Sequence, residues 1–131
     1  MNLIEQIRQA ENWETRYRLI IQASKYLPRP SQEELAQMQE IYGCEAKVWF
    51  KFIAKTDRTF QFTAYSEARV INGLLWILLQ AITPQTAEQL RHFDLNAYFT
   101  QLGIAQRLSH TRLNGLKQIE KIIQQLPTHL L

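Results

Sequence analysis

The side chain with the most chemical potential is Cys44, the one cysteine in a chain of 131 residues. A lone thiol cannot close an internal disulfide, which fits a reducing compartment. Nor can it scaffold an iron–sulfur cluster, whose iron is held mainly by several thiolates. Two readings remain: a small buried hydrophobe, which composition alone favours, or an outward-facing nucleophile. The local sequence, IYGCEAKVWF at 41–50, favours the second. Gly43 lets the backbone take conformations that other residues avoid. Glu45 and Lys47 indicate solvent nearby. His92, His110 and His129 are far apart and share no short ligand spacing with Cys44, so no metal site is expected. A cysteine hydrolase with Cys44 as nucleophile and His92 or His110 as base is one alternative; an interaction domain with a structural Cys44 is another.

The chain excludes several other classes. It holds four glycines and neither a glycine-rich phosphate loop nor Gly-x-Ser-x-Gly. The formal charge of +3 is mild, and basic residues such as Arg16 and Arg18 are scattered, so no direct nucleic-acid role is expected. Trp49, Phe50, Phe52, Phe60 and Phe62 could form a base-stacking sheet. Their alternation is explained without a ligand by a core beneath the sheet. The uncharged run at 70–87 carries Asn72, Gly73, Gln80, Thr83 and Pro84 and reads as a buried helix rather than a membrane span. The N-terminal stretch is acidic early and lacks a long apolar core, so a signal peptide is not expected. A single cytoplasmic domain over 1–131 is the expectation, with no membrane association.

Several elements must position Cys44. Helices are expected over 3–9 and 12–26, the second capped by Asn12 and stopped by Pro28. Trp13, Tyr17, Ile20, Ile21 and Leu27 give it an apolar face. A short helix is expected at 32–40. Period-two alternation then predicts an antiparallel hairpin over about 47–65, with Val48, Phe50 and Phe52 on one face, a turn at 56–59, and Phe60 and Phe62 beyond it. A lone hairpin is marginal, so helices or a third strand must cover it. A nearly all-round apolar helix is expected at 67–82. Another should start with Thr83 as cap and Pro84 at its first position. A short helix at 94–103 should be capped by Asp94 and closed by Gly103. The last helix should start at Ser109 and carry Leu113, Leu116, Ile119, Ile123 and Leu126 on one stripe, with Pro127 after it. The fold class is α+β, a small antiparallel sheet packed by several helices.

Four segments resemble the SufE/CsdE family of sulfur-acceptor proteins: ENWETRYRLIIQASKYLP at 11–28, GCEAKVW at 43–49, YSEARVINGLL at 65–75 and LGIAQRLSHTRLNGL at 102–116. They occur in family order and span most of the chain. Glu45 and the Ser66-Glu67 pair look closer to the CsdE branch.

The resemblance implies a SufE-like fold and a role without enzymatic turnover of its own. A cysteine desulfurase of the SufS/CsdA type, which carries pyridoxal phosphate, would pass a persulfide sulfur to Cys44. The chain would need no cofactor, would stimulate the desulfurase, and would hand sulfur to a downstream acceptor in iron–sulfur assembly or tRNA modification. It would act as a monomer or weak dimer. One cysteine then suffices, because a second could capture the persulfide as a disulfide.

An ordinary thiol, with a pKa of about 8.5, is only about 3% thiolate at pH 7. Half-ionisation there needs about 2 kcal/mol, and a helix N-terminus supplies only about 0.3–1 kcal/mol. Arg112, in the first turn of the last helix and within a family block, is the candidate for the remainder. It could equally be a solvated helix arginine or pair with Glu67 or Asp94. Glu45 opposes thiolate formation in the free protein, which favours activation by the docked desulfurase. Gly43, Glu45, Glu67 and Arg112 are therefore the expected supporting or partner-contact residues. A persulfide is easily lost to oxidants, so Cys44 is expected to rest in a partly apolar pocket and swing out on docking, with Gly43 as a hinge.

Overall fold

The computed structural model describes residues 1–43 and 46–128. The N-terminal helices form where local caps allow. Asn2 caps α1 (Leu3–Gln9), and Asn12 caps α2 (Trp13–Ala23) by accepting the Thr15 N–H at 2.8 Å. The run expected as one helix to residue 26 tightens into a 3-10 turn at Ser24–Tyr26. There the Ser24 hydroxyl donates to the Ile21 carbonyl at 2.6 Å, a back-bond that competes with regular helix.

The expected helix at 32–40 stops early. Ser31 caps α3 (Gln32–Ala36), but Gln39–Ile41 form strand β1. The reason is tertiary: Gln39, Glu40 and Ile41 pair with Phe50, Trp49 and Val48 of β2 (Val48–Ala54). Strand β3 (Phe60–Ser66) pairs antiparallel along the other side of β2, giving the order β1-β2-β3. The hairpin is thus confirmed, and a third strand completes the sheet. At its turn the Asp57 carboxylate accepts the Thr59 amide at 3.0 Å and hydroxyl at 2.5 Å.

Val48, Phe50, Phe60, Phe62 and Ala64 bury one face of the sheet, with Phe50 and Phe62 stacked at 5.7 Å. Phe52 shares that face but lies at its far end and stays 37% exposed. The other face carries Trp49 and Tyr65, and Lys51, which pairs with Glu34 of α3 at 2.8 Å.

Helix α4 (Arg69–Ile82) is central, with Ile71, Leu74, Leu75, Ile77, Leu78 and Ile82 fully buried. The helix expected to start at Thr83 does not. Thr83 is the C-cap of α4, and α5 (Ala87–Leu90) begins after Thr86, which forms a capping box with Gln89. Residues 85 and 86 are held beside β3: Gln85 accepts the Phe60 N–H at 3.2 Å, and Thr86 bridges to Thr59. Extended pairing there delays the helix. Helix α6 (Leu95–Gln101) is capped by Asp94 and closed at Gly103, whose φ of +77° suits glycine. After a 3-10 turn at Ala105–Arg107, Ser109 caps α7 (His110–Gln124), which buries Leu116, Ile119 and Ile123; Leu126 is buried beyond its end and Leu113 is half-buried. The buried side chains of helices and sheet form one cluster.

Candidate functional site

Residues 42–47 connect β1 to β2 at the end of the sheet where Ile41 pairs with Val48. Cys44 and Glu45 lie outside the described residues, as do the apolar pocket and swing expected for the thiol. His129 also lies outside them. The site is therefore built from what holds the two feet of this connection.

At the entry foot, Ile41 is buried, Tyr42 is 76% exposed, and Gly43 adopts φ +97°. Glycine is needed there because side chains disfavour that backbone conformation. A Cβ placed on Gly43 would come within 4.0 Å of Asn114 Cβ, so α7 stands beside the entry. A groove of about 500 Å³ runs from Gly43 and Tyr42 between β1 and α7, lined on the helix by Gln118, Lys121 and Ile122.

The exit foot is tied down. The Lys47 carbonyl accepts the Ser66 hydroxyl at 2.6 Å and the Glu67 amide at 3.4 Å. The Ser66 oxygen also accepts the Ala68 amide at 3.2 Å. Asn72, in the first turn of α4, accepts the Ser66 amide at 2.7 Å and donates to the Ser66 carbonyl at 2.9 Å. Both side chains are buried, and both are hydrogen-bonded. Sequence reasoning counted Asn72 only as a break in an apolar run. The signal was available: a buried amide on a core helix must have partners.

A second groove, of about 640 Å³, opens on the far face of the sheet beside this foot. Lys47 and Glu67 form its rim, Trp49 and Tyr65 its floor, and the Arg29 guanidinium lies 5.9 Å from the Tyr65 ring centre.

The structure places Gly43 at one foot and Glu67 at the other, with Glu67 exposed and its backbone bonded to the connection. Arg112 is half-buried in the first turn of α7, two positions before Asn114, with its amide donating to the Ser109 hydroxyl at 3.3 Å. The Asp94 carboxylate serves as the cap of α6, accepting the Ala97 amide at 3.0 Å. His92 follows α5 and His110 opens α7, both exposed. Among the described residues, no group of three or more His, Asp or Glu side chains is gathered that could hold a metal ion. Among them, too, no helix is long and apolar enough to cross a membrane.

These features define an α+β protein in which a three-stranded sheet, walled by helices, carries its one cysteine on the connection between the first two strands. The family model "SufE: Fe-S metabolism associated domain" matches residues 1–126, and the chain belongs to the SufE family. It is 60% identical over 124 residues to an uncharacterized SufE-like protein of Haemophilus influenzae, spanning 95% of this chain and 98% of that one. It is 37% identical over 111 residues to the sulfur acceptor protein CsdE of Escherichia coli, spanning 85% and 76% of the two chains. The solution structure of a hypothetical protein from Thermus thermophilus shares the fold, with a TM-score of 0.72 at 12% identity over 92% of this chain and 87% of that one.

Proposed function

We propose that this chain is a sulfur acceptor that takes sulfane sulfur onto Cys44 from a cysteine desulfurase, stimulates that enzyme, and passes the sulfur on. The observation that carries this reading is the 37% identity with the sulfur acceptor CsdE across 111 residues. We read 1–131 as one acceptor domain acting in the cytoplasm, where a lone thiol stays reduced.

The desulfurase, of the SufS/CsdA type, would hold its sulfur as a persulfide on its own cysteine. The Cys44 thiolate attacks the outer sulfur. A new S–S bond forms at Cys44, the S–S bond on the enzyme breaks, and the enzyme cysteine leaves as a thiolate. The outer sulfur keeps its proton, so no external oxidant or reductant is consumed. Rate depends on thiolate fraction and access. A downstream acceptor, in iron–sulfur cluster assembly or tRNA modification, would then attack the Cys44 persulfide in the same way.

The test mixes the protein with a cysteine desulfurase and radiolabelled cysteine. Reductant-labile label is expected on the wild type and absent from Cys44→Ser. Equal labelling of the two would overturn the proposal.

A further inference from the structure

Asn72 sits in the first turn of a mostly apolar helix and is 9% exposed. A buried amide is costly unless its hydrogen bonds are made, and an apolar residue would pack there without that demand. The structure gives this amide a definite task. Its oxygen and nitrogen meet the amide and carbonyl of Ser66, the last residue of edge strand β3, as a neighbouring strand would. Ser66 is 0% exposed, and its hydroxyl reaches the carbonyl of Lys47 at 2.6 Å. A continuous chain of hydrogen bonds therefore runs from α4 through the end of β3 to the exit of the Cys44 connection. The entry side differs: Tyr42 is 76% exposed, and Gly43 holds φ +97°.

We infer that Ser66 and Asn72 are positioning residues for sulfur acceptance, clasping the exit foot of the connection that carries Cys44. This rests on the sulfur-acceptor reading above. Exchange between sulfurs needs the attacking atom near 3–3.5 Å and aligned with the breaking bond, and a misplacement of about 1 Å can cost about a hundredfold in rate. A clasp on one foot removes much of that freedom before the partner arrives.

The test measures single-turnover transfer from a persulfide-loaded cysteine desulfurase to wild type, Cys44→Ser, Ser66→Ala and Ile104→Val, across acceptor concentrations. Ser66→Ala should lower the maximal transfer rate roughly tenfold, with the half-saturating concentration within about twofold of wild type. Ile104→Val, a core change in the 3-10 region, should keep the maximal rate and so separates positioning from general loss of stability. A Ser66→Ala protein with the wild-type maximal rate, or altered only in half-saturation, overturns the inference. So does an equal loss in Ile104→Val. Should Ser66→Ala fail to fold, Asn72→Ser carries the same comparison. In the wild type, hydrogen exchange at the Glu67 and Ala68 amides should be slow; exchange at the open-chain rate would refute the clasp directly. A wild type that takes no more label than Cys44→Ser sinks the acceptor reading and this inference together, whereas a labelled wild type matched by Ser66→Ala sinks the clasp alone.

Discussion

Gly73 of α4 stands so close to Ile20 of α2 that a Cβ atom at position 73 would lie 2.0 Å from the Ile20 carbonyl oxygen. The two helices cross where one has no side chain, and the obstacle is backbone, which cannot rotate aside. Gly73 also follows Asn72, so the crossing sets the depth of the clasp. Gly73→Ala should force α2 and α4 apart and cost about 3 kcal/mol, the upper end of overpacking in cores. Chemical denaturation checks this; an unchanged midpoint would show that the crossing has room to relax.

Gly43 is held by its backbone rather than by packing, at φ +97°. Gly43→Ala should cost about 1–2 kcal/mol, the usual penalty for a side chain in left-handed backbone. It should also slow sulfur acceptance, because the strain is relieved by moving the entry foot. Paired melting and label-transfer measurements decide it. Loss of stability with full transfer would mean that the entry conformation is irrelevant to the chemistry.

Arg112 lies on the helix that flanks the entry. If it supports the thiolate, Arg112→Ala should slow alkylation of Cys44 severalfold at pH 7 in the free protein. If it contacts the partner, alkylation should hold and stimulation of the desulfurase should fall. Alkylation rates against pH, with and without desulfurase, separate the two. No change in either measurement removes Arg112 from the site.

Tyr98, on α6, reports on the core. Burial of its phenol pushes its pKa up to about 12, and its hydroxyl donates to the Ile77 carbonyl at 2.9 Å. The folded value lies above the ordinary value of about 10. Its contribution to stability is therefore complete below about pH 10 and is lost as the pH rises through about 12. Ultraviolet titration should show a late step that is missing in Tyr98→Phe. A titration of Tyr98→Phe indistinguishable from wild type would contradict the burial.

Much of the fold is legible in local signals. Asn12, Asp94 and Ser109 each accept an amide three residues ahead, within one helical turn, so sequence spacing suffices to place them. The hairpin of Val48–Ala54 and Phe60–Ser66 follows from alternation, since each apolar residue turns to the same face as the residue two along. The four family blocks marked Gly43, Glu67 and Arg112, and the structure brings Gly43 and Glu67 to opposite feet of one connection.

What escaped local reading depends on partners distant along the chain. Gln39–Ile41 read as the tail of a helix until β2 offers a pairing edge, and Thr86 caps α5 because residues 85 and 86 are already committed beside β3. The Ser66–Lys47 bond joins residues 19 apart, and Asn72 finds its partner only when α4 packs at the end of the sheet. A cap or an apolar stripe is satisfied inside its own element, so composition and spacing encode it. A clasp between a helix, a strand end and a loop is satisfied only in space, and its energetic purpose exists only once the core has closed around it.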